Sequence, residues 1–172
     1  MNAVSEQRLS QVHPALAAKI VKLDSQLLVS TLIVSQGLRT SDEQRALYEQ
    51  GRSELYVVND LRKKVGWAAI TEDDNIVVTA AAPGYSWHEF GLAVDVVPQS
   101  EDGSLDWNAN HPIWREIITK GEALGLVSGN AWNDTPHFQM TGTLPVTPDD
   151  LVRSTFAAGG MQAVWQKTGI QV

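Results

Sequence analysis

The chain has 172 residues, which is the size of one domain and long enough to bury a core without covalent cross-links. Twenty acidic and thirteen basic residues give a formal net charge of −7. Duplex DNA and anionic membranes attract the opposite balance, so we exclude nucleic acid and membrane partners. The sequence has no cysteine, so any metal must be held by His, Asp or Glu.

The N-terminal part of the chain predicts helices followed by a strand. In residues 5–28, apolar side chains recur at steps of three and four, as in an amphipathic helix. Pro14 interrupts this pattern, so we expect two helices or a helix that starts at Pro14. The β-branched run 28–34 predicts a strand that leads to Arg39.

A third helix is predicted directly after Arg39. Residues 40–43 read Thr-Ser-Asp-Glu, a capping sequence whose side chains satisfy free N–H groups at a helix start. The helix is predicted to reach residue 48 or 50, and Gly51 is placed to end it. Residues 53–75 have a mixed pattern that predicts no regular structure.

The remainder of the chain predicts an α+β domain that spans residues 1–172. Residues 92–97 are apolar except for Asp95 and form the best strand candidate. The same rules predict the following elements: a strand at 76–79, turns at 82–84 and 102–104, a helix opened by 111–112 and ended by Gly125, a strand at 137–141, and one or two helices over 148–165.

Asp95 is the residue that first indicates a functional site. An ionised carboxylate among apolar neighbours is costly to bury alone and needs a cation or several hydrogen-bond donors. One interpretation is a structural pair with an arginine, because buried charges are usually paired. The other is a metal ligand.

The histidines favour the metal interpretation as a set. His88 lies seven residues before Asp95, and Gly91 between them lets the chain turn so that both side chains can converge. His137 follows a proline that keeps the preceding residue extended. Taken alone, each of these histidines is more typical of an ordinary core or surface residue than of a metal ligand. The two remaining histidines lack such surroundings and are predicted to start a helix and to lie at the surface: His13 and His111.

Two charged residues could act beside such a metal. Asp134 lies three residues before His137, where a carboxylate could take a proton from a metal-bound water and pass it to a leaving amine. The alternative is an ordinary turn residue. Arg39 stands between a strand and a capped helix, where a guanidinium could bind a substrate carboxylate or an oxyanion. The alternative is a surface salt bridge.

These motifs resemble those of a known family. The pattern Ser86-x-His88-x-x-Gly91-x-Ala93-x-Asp95, together with Asp134-x-Pro136-His137-Phe138, is similar to the zinc peptidases of the VanY-type D-alanyl-D-alanine carboxypeptidase and phage L-alanyl-D-glutamate endopeptidase family. Three flanking pieces also match: Gly37-Leu38-Arg39-Thr40 with Gln44 and Leu47-Tyr48, Gly51-Arg52, and Val78-Thr79-x-Ala81-x-x-Gly84. The resemblance spans roughly residues 30 to 140.

The resemblance implies a role for each residue of the site. It implies a Zn²⁺ ion bound by His88, Asp95 and His137. It further implies Asp134 as the general base and Arg39 at the substrate. Three residues are assigned to substrate binding near the cleft: Ser86, Gln44 and Trp132.

The implied fold is a single α+β domain in which helices flank a small antiparallel sheet, as in Hedgehog and D,D-peptidase domains. The implied activity is zinc-dependent hydrolysis of the peptidoglycan stem peptide. Asp at position 134, where the dipeptidase branch has Glu, favours the endopeptidase branch and the L-alanyl-D-glutamate bond. Residues 53–75 are longer than the usual link of the family, so we expect a lid or cleft wall there. Alternatives are a D-alanyl-D-alanine carboxypeptidase or dipeptidase, and a metal-binding module without turnover.

The expected site of action is the bacterial cell wall. Residues 1–8 show no apolar run after a basic start, so we expect no secretory signal. No stretch approaches the roughly 20 apolar residues of a membrane span. We therefore expect a monomeric endolysin that is made in the host cytoplasm and reaches the wall after the membrane is permeabilised.

Overall fold

Within residues 1–28 and 30–171, which the computed structural model describes, six α-helices surround a four-stranded sheet. The helices are α1 (Ala3–Leu9), α2 (Pro14–Gln26), α3 (Ser41–Glu49), α4 (Leu55–Lys64), α5 (Pro112–Ala123) and α6 (Asp150–Lys167). The strands are β1 (Thr31–Gln36), β2 (Ala93–Gln99), β3 (Val127–Ser128) and β4 (His137–Gln139). The strand order is β1-β2-β4-β3, with every pair antiparallel. The predicted α+β class is confirmed.

The helices predicted on either side of Pro14 are both present. Pro14 is the first residue of α2, where its missing N–H costs no hydrogen bond. His13 precedes it and accepts a hydrogen bond from the Ala15 N–H at 3.2 Å, so it starts the helix as predicted. The strand predicted at 28–34 is β1, which begins later, at Thr31. Val29 of that prediction lies outside the described residues.

The capping sequence before α3 forms both of its expected hydrogen bonds. The Glu43 N–H donates to Thr40 Oγ1 at 3.2 Å, and the Thr40 N–H donates to Glu43 Oε2 at 2.7 Å. After the helix, Gly51 adopts a φ of +74°. A Cβ atom at this glycine would lie 2.2 Å from the backbone nitrogen of Val77, so only glycine fits this crossing of two chain segments.

The prediction of a strand at residues 76–79 is wrong. The segment has no ladder partner among the described residues, and the outer edge of β1 is covered by α1. There the Val34 N–H donates to Ser5 Oγ at 3.0 Å, and Arg8 donates to the Val34 carbonyl at 2.6 Å. The segment is instead held by side chains, including a hydrogen bond from Arg52 to the Thr79 carbonyl at 2.9 Å. Hydrophobic composition alone therefore misidentified it.

Two apolar clusters fix the positions of the elements. The larger one joins α2 and α5 to the sheet, and the smaller one joins α6 to the chain between residues 87 and 93. The smaller cluster contains Trp87, Phe90, Leu92, Ala93, Val152 and Val164. The 3-10 helix at Trp87–Phe90, directly before β2, is therefore buried against α6.

The C-terminal helix was predicted as one or two helices, and α6 is bent within its length. Gly160 has a φ of +66°, which interrupts the helical path of Asp150–Lys167. None of the helices in the described part of the chain is long and apolar enough to cross a lipid bilayer.

Candidate metal centre

The sheet places two of the predicted ligands directly opposite each other. β2 pairs with β4 so that Asp95 faces His137 in the antiparallel register, and side chains opposed in this way project from the same face. His88 belongs to the 3-10 helix at Trp87–Phe90, which ends at Gly91 with a φ of 63°. This left-handed turn sends the chain into β2 and brings His88 over Asp95.

The three side chains form a nearly equilateral triangle of ligand atoms. His88 Nε2 lies 3.2 Å from His137 Nδ1 and 3.2 Å from Asp95 Oδ1, and the last two atoms are 3.3 Å apart. Tetrahedral zinc with bonds of about 2.0–2.1 Å would separate its ligand atoms by about 3.4 Å. These residues therefore fit a single divalent ion with three protein ligands.

The second nitrogen of each imidazole is also engaged. His88 Nδ1 lies 2.9 Å from the Gly37 carbonyl, so this nitrogen carries a proton and Nε2 is left to face the centre. His137 Nε2 lies 3.0 Å from Gln139 Oε1, so in this ring Nε2 carries the proton and Nδ1 faces the centre. Gln139 is held in turn by its own donation to the Val146 carbonyl at 3.0 Å. Such partners orient ligands and make them more basic.

The acid–base state of the cluster follows from close contact of opposite charges. Burial disfavours ionisation of Asp95, but the charges and hydrogen bonds of His88 and His137 outweigh it and hold the pKa of this carboxyl well below its ordinary value. For His137, burial lowers the pKa, yet the hydrogen bond and charge of Asp95 raise it above its ordinary value overall. A metal ion would have to displace the protons from these nitrogens.

Arg39 is buried behind Asp95, and most of its N–H groups are already used. Its Nη2 lies 3.5 Å from Asp95 Oδ2. Nε donates to Gln36 Oε1 at 2.9 Å, a second donation from Nη2 reaches the same oxygen, and Nη1 donates to Gln44 Oε1 at 2.7 Å. Because a guanidinium has five N–H donors, these three hydrogen bonds leave one N–H on Nη1 and one on Nη2, and the Nη2 group forms the ion pair with Asp95. Asp95 is thus bound on one side by arginine, as one interpretation of the sequence predicted, and faces the histidines on the other.

Gln44 was assigned to substrate binding, and the structure places it elsewhere. Its side chain is fully buried, its oxygen accepts from Arg39, and its nitrogen donates to the Ala81 carbonyl at 2.6 Å. It does not line the cavity described below. Gln44 therefore orients Arg39 and the wall segment at Ala81.

A cavity of about 1100 Å³ opens over the triangle. The predicted site residues other than Gln44 all line it: Arg39, Ser86, His88, Asp95, Trp132, Asp134 and His137. None of residues 53–75 lines it, so the expected lid or cleft wall is wrong for this segment. That segment forms α4 and a loop whose Asn75 accepts from the Gly51 N–H at 2.8 Å. Residues 78–82 form the wall instead.

Asp134 stands at the edge of the metal centre. The pKa of its carboxyl is raised, first by desolvation in the cavity wall and then by repulsion from Asp95, while His137, His88 and Arg39 oppose the rise. Its backbone passes close to Gly129, where a Cβ atom would lie 2.3 Å from the Asp134 carbonyl oxygen. This close approach holds Asp134 against His137.

Sequence reasoning missed two residues that shape the site. One is Gln139, whose only signal is its place two residues after a ligand on the same strand face. The other is Glu89, a buried carboxylate that accepts from the Gly84 N–H at 2.8 Å and the Ser86 N–H at 3.3 Å. Burial raises the pKa of Glu89, and these backbone donors partly offset the rise. The Ser86-x-x-Glu89 spacing was a capping signal in the sequence.

Comparison with known proteins agrees with this geometry. The sequence profile of a family described as D-alanyl-D-alanine carboxypeptidase matches residues 79–140. The peptidoglycan L-alanyl-D-glutamate endopeptidase CwlK of Bacillus subtilis (strain 168) is 30% identical in an alignment of 148 positions that covers 76% of this chain and 74% of that protein. The crystal structure of the L-Ala D-Glu endopeptidase ChiX of Serratia marcescens superimposes with a TM-score of 0.51 at 27% identity, covering 81% of this chain and 87% of that one. The chain therefore belongs to the D-alanyl-D-alanine carboxypeptidase family of metallopeptidases that act on peptidoglycan peptides, the family its motifs predicted.

Proposed function

We propose that this protein is a zinc-dependent endopeptidase that hydrolyses the L-alanyl-D-glutamate bond of the peptidoglycan stem peptide. The observation that carries the proposal is the triangle of His88, Asp95 and His137 with Asp134 beside it in one cavity. The two relatives with L-Ala–D-Glu endopeptidase activity in their names support the choice of bond.

The charge of the cavity favours an endopeptidase over a carboxypeptidase. A carboxypeptidase binds a free terminal carboxylate, and bidentate arginine is a strong partner for that group. Of the cavity-lining residues that the structure describes, Arg39 is the one lysine or arginine. Its guanidinium donates three hydrogen bonds to Gln36 and Gln44 and forms an ion pair with Asp95. A bidentate clamp on a substrate carboxylate would compete with Asp95 for Nη2.

The nature of the donor atoms supports zinc. Two imidazole nitrogens and one carboxylate oxygen, with a fourth position left for water, form a set typical of catalytic zinc sites. When bound, zinc lowers the pKa of a coordinated water to about 7 and polarises a carbonyl oxygen. Other divalent ions accept the same donors, so metal analysis is part of the test.

The chain's own residues supply the proton transfers. Asp134 would take a proton from the attacking water, and its raised pKa suits it to return that proton to the leaving nitrogen of D-glutamate. The free Nη1–H of Arg39 is available to donate to the developing oxyanion. Ser86, which also lines the cavity, would help to orient the substrate.

The experiment uses purified protein and defined stem peptides. Metal content is measured by mass spectrometry, and cleavage products are identified with and without a chelator. The proposal predicts bound zinc and chelator-sensitive release of L-alanine from the D-glutamyl remainder. Release of terminal D-alanine would establish the carboxypeptidase alternative, and bound zinc without any cleavage would indicate a non-catalytic module.

The endolysin role and the monomeric state stay predictions. Added to permeabilised bacterial cells, the protein is expected to lower the turbidity of the suspension. Light scattering in solution measures its mass against the 18.8 kDa of one chain.

A further inference from the structure

The cavity carries exposed aromatic surface that the hydrolysis itself does not use. The chain has six tryptophans, and the two that are exposed, Trp107 and Trp132, both line this cavity. Trp132 packs edge-on to His137, with ring centroids 6.1 Å apart. Trp107 is 56% exposed, and no ring or guanidinium from the described residues stacks on it. Large exposed aromatic groups in a cleft are typical of binding surfaces.

The fold places Trp107 beside the end of β2 that leads away from the metal centre. The preceding residue, Asp106, donates its N–H to the Pro98 carbonyl at 3.0 Å, and this anchors the loop beside the end of β2. Pro98 is three residues beyond Asp95, which is about 10 Å along a strand. Trp107 lines the cavity together with Ser35 and Gln36 of β1.

The substrate has a neutral ring at a similar distance from its scissile bond. In peptidoglycan, the amine of L-alanine is acylated by the lactyl ether of a muramoyl sugar. One residue and a lactyl group of similar length span about 7 Å of extended chain. When the L-Ala–D-Glu bond is at the metal, the sugar ring is therefore expected about this far from it, within the cavity that Trp107 lines. Sugars present an apolar C–H face that stacks on indole. The cavity wall at Trp107 has no lysine or arginine that would bind an anion.

We propose that Trp107 forms a subsite for the muramoyl sugar, so that the protein prefers stem peptides still attached to glycan. This inference rests on the proposed function, because the distance argument assumes the L-Ala–D-Glu bond. A cationic side chain of the peptide is the alternative occupant of an indole face, and the test separates the two.

The first experiment compares two substrates with one peptide sequence. One carries N-acetylmuramic acid on L-alanine, and the other carries a plain acetyl group in its place. Wild-type protein is expected to cleave the muramoyl peptide with the higher kcat/KM. Trp107→Ala is expected to lower kcat/KM for the muramoyl peptide by about three- to tenfold and to leave the acetyl peptide within twofold. The matched control is Tyr56→Ala, because Tyr56 is 71% exposed on α4 and does not line the cavity.

Two results would overturn the inference. One is an equal loss of kcat/KM on both substrates in Trp107→Ala, which would assign Trp107 to the peptide. The other is cleavage of both substrates with equal kcat/KM by the wild type. A second measurement needs no turnover: binding of N-acetylmuramoyl-L-alanine and of N-acetyl-L-alanine, measured by isothermal titration calorimetry. Tighter binding of the muramoyl compound that Trp107→Ala abolishes supports the subsite even if the wild type proves inactive, in which case only the proposed function fails. Equal binding of both compounds overturns the subsite whatever the activity.

Discussion

Each imidazole at the metal centre has one ring nitrogen directed to the centre and the other held by a neighbour. Gly37 holds His88 through a backbone carbonyl, while Gln139 holds His137 through a side chain. Asp95 is similarly divided, with one oxygen toward the histidines and the other toward Arg39. The geometry of the three ligand atoms therefore depends on residues that would never touch a metal.

Asp134→Asn tests the base. The amide keeps the shape of the side chain but cannot accept the proton of an attacking water, so kcat is expected to fall by about 10²–10⁴. Zinc content, measured by mass spectrometry, is expected to stay at the wild-type level, because Asp134 is outside the ligand triangle. His88→Ala is the comparison variant and is expected to lose the metal. Wild-type activity in Asp134→Asn would refute the assigned role.

Arg39→Ala tests the guanidinium behind Asp95. Loss of one donor to a developing oxyanion typically lowers kcat by about 10²–10³. We expect a fall of this size, and also weaker zinc binding, because Asp95 loses the partner of its outer oxygen. Arg39→Lys is expected to rescue little, since an ammonium cannot reach both glutamine oxygens in the planar geometry of a guanidinium. Full recovery in Arg39→Lys would show that charge alone is sufficient.

Gln139→Ala tests the residue that holds His137. Without its hydrogen bond at 3.0 Å, the ring can rotate, and zinc affinity is expected to fall by about 10–100-fold. A competition titration with a chromophoric chelator measures this. Gln139→Glu keeps an acceptor in place and is expected to retain more of the affinity than Gln139→Ala. Equal affinity in wild type and Gln139→Ala would contradict the positioning role.

At the scale of elements, the site depends on the junction between a short 3-10 helix and a strand. The 3-10 helix at Trp87–Phe90 is held by α6, because the Trp165 side chain donates a hydrogen bond to the Phe90 carbonyl at 2.7 Å. Its left-handed exit at Gly91 is crowded, since a Cβ there would lie 3.1 Å from the Trp165 ring. A glycine that the sequence marked only as a turn is therefore also favoured by tight packing against Trp165.

The turns after α3 and α4 offer a matched pair of glycines for a stability test. Gly51 and Gly66 have similar φ angles of +74° and +77°, but a Cβ would clash with the backbone of Val77 only at Gly51. Gly66→Ala is expected to cost about 1–2 kcal/mol of unfolding free energy from the backbone alone. Gly51→Ala adds overpacking, for a total of about 2–5 kcal/mol. Urea unfolding measures both, and equal values would contradict the role of the contact.

How far the elements could be predicted depends on whether their signals are local. Pro14 and the capping box at Thr40 act within one turn, and the helices that they start are where they were predicted. Residues 76–79 had strand composition, but a strand needs a free neighbour, and α1 already covers the edge of β1. The cavity wall was misassigned to 53–75 because sequence spacing does not show which loop turns toward a site.

At the scale of the whole molecule, protons and metal compete for one buried centre. Burial lowers the pKa of His137, but the hydrogen bond and charge of Asp95 outweigh it. The pKa of His137 is therefore raised above its ordinary value of 6.5. In metal-free protein this pair stabilises the fold fully below pH 6.5, and the contribution is lost as pH rises through the raised pKa. With metal bound the dependence reverses, because the metal requires neutral imidazole.

Thermal unfolding at about pH 6 and about pH 8.5 tests this competition, since histidine changes its charge between these values. With chelator present, Tm is expected to fall as pH rises, by about 2–4 °C for each kcal/mol lost in a domain of this size. With zinc present, Tm is expected to rise over the same range. Asp95→Asn should abolish the fall in the metal-free protein. A metal-free Tm that increases with pH would contradict the coupling.

The amino-acid sequence by itself determined the type of site and its ligand candidates. A carboxylate in an apolar strand, two histidines in constrained surroundings and an absence of cysteine leave few chemistries open. Its family motifs also indicated Asp134 and Arg39, because those residues stand at fixed spacings from helix starts and ligands. These spacings are local in the chain, so they can be recognised without knowledge of the fold.

Only the tertiary structure decided how those groups are used. It showed that Gln44 serves Arg39 from a buried position, that Gln139 holds His137, and that Trp107 faces the cavity from a distant loop. The physical reason is that a hydrogen bond or a cavity wall joins residues far apart in sequence. Which donors of a guanidinium remain free depends on every neighbour that packing brings to it.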